Sequence, residues 1–142
     1  MALKIFNTLS RRLESFEPLT AGKVRMYTCG PTVYDYAHIG NFRAYLFEDL
    51  LRRYLQYSGY QVTQIMNLTD VDDKTIQGSQ KAGLPLAEYT RHYKEAFFAD
   101  IQALNIEAAE AYSAATEHIP EMIALIETLF KAGVAYRSED GS

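Results

Sequence analysis

The first regular pattern along the chain is the alternation of polar and apolar residues at Lys23-Val24-Arg25-Met26-Tyr27-Thr28, ending in Cys29-Gly30-Pro31. Side chains point to opposite faces along a strand, so this run predicts a strand that the Gly-Pro pair breaks and turns. From Gly40 the period changes. Phe47, Leu50, Leu51, Tyr54 and Leu55 recur three and four residues apart up to Gly59, which predicts an amphipathic helix closed by a glycine cap. Tyr60 to Leu68, with Val62, Ile65 and Met66, is short and apolar and predicts a buried second strand. Pro85 stands where a first helical turn tolerates proline, and Leu86, Tyr89, Tyr93, Phe97, Ile101 and Leu104 follow at helical spacing. Ala109 to Ala114 predicts a weaker third strand, since alanine is a poor strand former, and a further helix runs from Ile119 through Ile123, Ile126 and Phe130 to Gly133. Alternating strands and helices imply an α/β fold in which a mostly parallel sheet is joined by right-handed crossovers. A Rossmann-like, doubly wound sheet is the expected architecture.

Val134-Ala135-Tyr136-Arg137 reads as one more strand and Asp140-Gly141 as a hairpin turn, with no partner strand after it. A domain rarely leaves such an edge unpaired, so the pattern predicts a piece of a longer polypeptide.

Composition narrows the partners. With 142 residues, 48% hydrophobic and 23% charged, the chain matches one globular domain, and no apolar run nears the ~20 residues that span a bilayer. The start, Met1 to Phe6, meets polar residues too soon for a signal peptide, so a cytoplasmic address without a membrane partner is expected. A net charge of -4 excludes a module that holds nucleic acid by a general basic surface. Arg11-Arg12 and Arg52-Arg53 read as solvated pairs on helix faces. The single cysteine, Cys29, excludes an internal disulfide framework.

Ligands of open parallel sheets sit beyond the carboxyl ends of the strands. Three polar clusters fall there: Cys29-Gly30-Pro31-Thr32, Thr69-Asp70-Val71-Asp72-Asp73-Lys74 and Thr116-Glu117-His118. His38-Ile39-Gly40-Asn41 places an imidazole at a helix N-terminus, where free N–H groups and the helix dipole attract phosphate; the same residues would also serve simply to cap a turn. Cys29 is open to three readings, as nucleophile, zinc ligand or inert buried thiol. His92, beside Arg91, reads as a solvated helix histidine. The acidic run lacks the glycine and closing glutamate of an EF-hand, which excludes that calcium loop and leaves a solvated turn or substrate binding. Gly-x-Gly-x-x-Gly and phosphate-loop signatures are absent, which disfavours dinucleotide oxidoreductases and phosphate-loop ATPases.

The run from Tyr27 to Asn41, YTCGPTVYDYAHIGN, resembles the signature of cysteinyl-tRNA synthetases, and NLTDVDDK at Asn67–Lys74 and ATEHIP at Ala115–Pro120 extend the likeness in order. These enzymes are class I synthetases whose Rossmann-like catalytic domain is split by a connective segment. The resemblance implies that residues 1–120 form its first half and 121–142 a helix and the start of that segment. By the same resemblance His38 and Asn41 are catalytic and, with Gly40, bind ATP in the "HIGH" motif. Gly30, Thr32 and Thr69 line the cysteine pocket, Asp70 and Asp72 bind substrate from the same rim, and Cys29 is one of four zinc ligands. A zinc ion prefers thiolate to hydroxyl and so separates cysteine from serine. Mg-ATP, cysteine and tRNA(Cys) are the implied substrates of the whole enzyme, and a monomer is the expected state.

Asn41 departs from the histidine of the motif's name; it can donate to phosphate but carries no charge. The remaining zinc ligands and the mobile Lys-Met-Ser-Lys-Ser loop belong to the second catalytic half in that family, so this piece alone is expected to be inactive. A stand-alone nucleotide-binding paralogue, or one half of a split enzyme, are the alternatives.

Overall fold

The computed structural model describes residues 3–139 and 141. A two-stranded antiparallel hairpin, β1 (Lys4–Asn7) and β2 (Arg12–Ser15), precedes a three-stranded parallel sheet of β3 (Lys23–Thr28), β4 (Gln61–Leu68) and β5 (Ala111–Ala114) in the order β3-β4-β5. Helix α1 (Ile39–Tyr57) links β3 to β4, while α2 (Asp73–Ala82) and α3 (Leu86–Ala103) link β4 to β5. A 3-10 turn (Ala115–His118) leads into α4 (Ile119–Lys131). The Rossmann-like α/β expectation therefore holds, with parallel register such as Tyr27 opposite Ile65 and Ile65 opposite Ala111.

The period-two pattern of β4 decides which face is covered. Val62, Gln64, Met66 and Leu68 are buried, and Phe42 and Tyr45 of α1 with Phe97 and Ile101 of α3 close over Met66 and Leu68. A second cluster joins Val24, Leu55 and Val62. On the opposite face Tyr27 is 71% and Ile65 41% exposed, so the helices cover one face of the sheet and only half of a doubly wound arrangement is present among the described residues.

Local chemistry sets the helix ends. Asp72 caps α2 by accepting from Thr75 N at 2.8 Å, and Thr75 Oγ1 accepts from Asp72 N at 2.8 Å, so two otherwise orphaned N–H groups are satisfied. Gly59, at φ +92°, turns the chain from α1 into β4.

Two expectations are corrected. Residues 134–137 form no strand: Val134 and Tyr136 are 71% and 86% exposed, and a lone extended segment has no ladder to satisfy its backbone. The hairpin turn expected at Asp140-Gly141 falls partly outside the described residues. Arg52 is not solvated either, being 6% exposed. Its guanidinium donates to Gln64 Oε1 (3.2 Å), the Ala108 carbonyl (2.8 Å) and Glu110 Oε1 (2.6 Å), so it bolts α1 to β4 and to the segment entering β5. The helix α2 and the β1–β2 hairpin were not anticipated from the pattern.

Candidate functional site

The carboxyl ends of β3 and β4 are tied together by backbone. Val33 N donates to the Thr69 carbonyl and Thr69 N to the Pro31 carbonyl, both at 3.0 Å, and Gly30 N donates to Asn67 Oδ1 at 3.1 Å. A Cβ on Gly30 would lie 1.8 Å from the Asn67 carbonyl oxygen, so only glycine lets the loop cross the strand end this closely. Beyond this crossing lies a cleft of ≈ 330 Å³ whose lining includes Gly30, Thr32, His38, Asn41, Tyr45, Lys74, Tyr93 and Phe97. A larger cleft, of ≈ 520 Å³ and lined by residues such as Thr20, Lys23 and Gln61, lies at the amino ends of the strands, where α/β sheets do not present their loops to ligands.

His38 is the N-cap of α1. Its Nδ1 accepts from Gly40 N at 3.0 Å, and Asn41 Oδ1 accepts from His38 N at 3.0 Å, a reciprocal capping box. This bonding assigns the tautomer: with Nδ1 an acceptor, the proton of the neutral ring sits on Nε2. Asn41, having committed its oxygen to the cap, keeps its amide NH₂ as a donor. The helix end thus adds an imidazole N–H and a carboxamide N–H to the positive pole of α1. A Cβ on Gly40 would sit 2.7 Å from His38 Cε1, so a bulkier residue displaces the ring. Asparagine at the fourth motif position gains a physical reason here, because its acceptor completes the cap.

Cys29 is exposed at the end of β3, so the inert buried reading does not describe it. Beneath it runs a polar chain, in which Arg52 donates to Gln64 and Gln64 Nε2 donates to Thr28 Oγ1 at 3.0 Å, with the half-buried Glu48 beside it, whose Oε2 is buried without a hydrogen-bond partner. Burial raises the Glu48 carboxyl above the ordinary range, outweighing the opposing influence of the nearby Thr28 hydroxyl. Burial, with Glu48 and Cys29 adding to it, pushes the Tyr45 phenol up to about 12, so it stays protonated at neutral pH.

The acidic loop divides its labour. Asp70 is 1% exposed; its Oδ1 accepts from Thr116 N (2.9 Å), and its Oδ2 from Thr116 Oγ1 (2.6 Å) and Lys94 Nζ (2.5 Å). Burial by itself raises its pKa, but these bonds outweigh burial and hold the carboxyl below the usual range. Asp72 is the α2 cap and Asp73 lies in that helix's first turn. The cleft therefore gathers Gly30, Thr32, His38 and Asn41, while Thr69, Asp70 and Asp72 brace it from outside its lining. Glu117 and His118 stand exposed in the 3-10 turn. Lys74, the last residue of the polar cluster after β4, reaches the lining, and Tyr45, Tyr93 and Phe97 join it without having been read as site residues, although the helical spacing of Tyr93 and Phe97 had already put them on one face.

A parallel sheet whose strand ends present a helix N-terminus equipped with an imidazole and an amide defines a Rossmann-type α/β protein with hydrogen-bond donors at that edge. Comparison with known proteins narrows this. The family model described as tRNA synthetases class I (C) catalytic domain matches residues 15–142, and the chain belongs to that family. It is 55% identical over 140 residues to the cysteine–tRNA ligase of Protochlamydia amoebophila, covering 99% of this chain and 29% of that protein. To the cysteine–tRNA ligase of Brachyspira hyodysenteriae it is 58% identical over 137 residues, covering 96% and 29%. The LeuRS in the LeuRS–tRNA–LeuAMS ternary complex from Agrobacterium radiobacter K84 shares the fold at a TM-score of 0.72 and 22% identity, over 86% of this chain and 16% of its own. The chain spans about three tenths of the length of these curated relatives. No helix among the described residues is long and apolar enough to cross a membrane.

Proposed function

We propose that this chain is the ATP- and cysteine-handling first half of a cysteine–tRNA ligase. The observation that carries the reading is the α1 cap, in which fixing His38 Nδ1 and Asn41 Oδ1 leaves Nε2–H and an amide N–H at a cleft shared with Gly30 and Thr32. In this reading the cysteine carboxylate attacks the α-phosphorus of Mg-ATP in line and the bond to pyrophosphate breaks. Cysteinyl-adenylate forms, and a ribose hydroxyl of tRNA(Cys) then takes the cysteinyl group. The neutral donors of His38 and Asn41 and the positive end of α1 stabilise charge on the phosphoryl oxygens without needing to reorient. Gly30 and Thr32 offer polar backbone and hydroxyl to the amino acid. Asp70 and Asp72 serve it indirectly by holding the loop after β4. Helix α4, in which no residue is buried, marks the beginning of the connective segment near residue 120.

In this reading the zinc site is incomplete in this chain. A structural or substrate-binding zinc needs about four ligands, and no group of three His, Cys, Asp or Glu side chains gathers among the described residues. Exposed Cys29 is free to supply one thiolate to a site completed elsewhere in a longer protein. Elemental analysis is expected to find stoichiometric zinc in the whole enzyme, its loss on Cys29→Ser, and none in this chain alone; zinc retained by this chain would refute the incomplete-site reading.

The decisive experiment is cysteine-dependent ATP–pyrophosphate exchange by the whole protein. His38→Ala is expected to lower kcat by about 10²-fold, the scale of one lost transition-state donor. The 142-residue chain alone is expected to give no exchange. Unimpaired exchange by His38→Ala would overturn the assignment, and tight ATP binding by the isolated chain without exchange would favour a stand-alone nucleotide-binding protein.

A further inference from the structure

Residues 29–37 carry the chain from the end of β3 to His38. The first part of this loop is fixed by the backbone bonds to Thr69. Beyond Val33 the tethers change in kind and come from α3. Tyr89 Oη donates to the Tyr34 carbonyl at 2.6 Å, and Tyr36 Oη lies 2.6 Å from His92 Nε2. The Tyr36 ring meets His92 edge-on (5.6 Å between centroids, 76°) and Tyr93 in the same way (5.3 Å, 80°). Tyr36 is 57% exposed and His92 is exposed too, so this contact is held by a hydrogen bond and ring edges, not by burial. Only Ala37 separates Tyr36 from His38.

We propose that His92 is a positioning residue for the reaction: through Tyr36 it sets where the loop delivers His38 to the cleft. The inference rests on the phosphate-site reading of His38 given above. His92 is not in the cleft lining, whereas Tyr36 and His38 are, so His92 acts through Tyr36. The tether belongs to α3, which Asp70 also grips through Lys94 two residues on, so the strand end and the loop are referenced to one rigid helix. A donor that stabilises a transition state works only if it is in place beforehand, and a misplacement of about 1 Å can reduce the rate by as much as 10²-fold.

The test is ATP–pyrophosphate exchange by the whole protein for His92→Phe, Tyr36→Phe, the double variant and His92→Gln, with His92→Phe repeated in a His38→Ala background. His92→Phe and Tyr36→Phe are each expected to lower kcat on the order of tenfold with little change in the cysteine KM, and the double variant to fall no further. His92→Gln, which keeps a hydrogen-bonding group near the Nε2 position, is expected to recover most of the loss. In the His38→Ala background His92→Phe is expected to add less than about twofold. Melting temperatures should stay within about 2 °C of the parent, as for substitutions of exposed side chains. Wild-type exchange by His92→Phe beside an impaired His38→Ala overturns the positioning role, as does a further tenfold loss on top of His38→Ala. A loss that follows melting temperature and is not relieved by glutamine overturns it too. Full activity of His38→Ala overturns the phosphate-site reading, and this inference with it.

Discussion

Replacing Asp70 with asparagine probes the bracing of the site most directly. The change preserves shape but turns one acceptor into a donor, and three donors converge on the two carboxylate oxygens: Thr116 N, Thr116 Oγ1 and Lys94 Nζ. Either orientation of the amide sets N–H against N–H. With NH₂ at the Oδ2 position the threonine hydroxyl can reverse its role, but Lys94 has only donors; with NH₂ at the Oδ1 position the Thr116 amide is opposed. Breaking a fully buried ion pair costs about 3–5 kcal/mol. Lys94 is 25% exposed and can recover some hydration, so a loss of about 2–3 kcal/mol is expected here, in line with hydrogen bonds to charged groups. With a urea dependence of about 1.5–2 kcal/mol/M, the unfolding midpoint should fall by roughly 1–2 M. The chain has eleven tyrosines and no tryptophan, so tyrosine fluorescence and far-UV circular dichroism are the signals to follow. The pH dependence supplies the stricter check. The folded carboxyl titrates below its ordinary value of 3.8, so its contribution is fully present above the unfolded pKa and disappears as pH falls through the lower folded pKa. The gap between parent and Asp70→Asn should therefore be constant from pH 7 to about 5, shrink from about pH 4 downward and close in stronger acid. Equal midpoints at pH 7, or a gap that persists unchanged below the folded pKa, would refute the reasoning.

Gly30→Ala should destabilise the protein by at least about 2 kcal/mol and impair the site together with the fold, because the new Cβ meets a backbone oxygen that cannot swing aside; calorimetry and exchange kinetics on one preparation check both effects. Gly40→Ala meets only the His38 ring, so it should cost about 1 kcal/mol in stability while lowering exchange by more than that loss alone predicts, and equal effects on the two would count against the cap's catalytic placement. Arg52→Ala strips partners from Gln64, the Ala108 carbonyl and Glu110 and should cost about 3–5 kcal/mol; Arg52→Met, which restores the packing of the stem, should lose clearly less, and identical losses would mean that the hydrogen-bonded ion network and not the packing of the stem sets the cost.

Much of the architecture was legible because its causes are local. The strands at 23–28 and 61–68 and the helices beginning at 39, 86 and 119 follow from side-chain periods and from caps within a few residues of each helix end. What escaped the pattern had a weak local signal. Helix α2, DKTIQGSQKA, has isoleucine as its one large apolar residue and a glycine inside it, so no stripe announces it; the Asp72–Thr75 capping pair was the available clue. Strands β1 and β2 are four residues each and exposed throughout, too short and too open to show burial alternation. The segment 134–137 shows the reverse error, a strand-like composition with no neighbour to pair with.

For the site, the sequence by itself determined the chemistry on offer: an imidazole and a carboxamide at a helix start, a thiol and a glycine at a strand end, and an acidic loop after the next strand. Its likeness to a known signature determined the family. Only the tertiary structure decided what those groups are free to do. Asp70 finds Lys94 and Thr116 at separations of 24 and 46 residues, and Arg52 reaches Glu110 across 58, so neither commitment could be read from neighbours in the chain. His92 and Tyr36 stand 56 residues apart and meet only because α3 packs beside the loop. Periodicity reports which face of an element is apolar, but the partners of a polar group depend on how separate elements are brought together, and that is settled when the sheet and its helices pack.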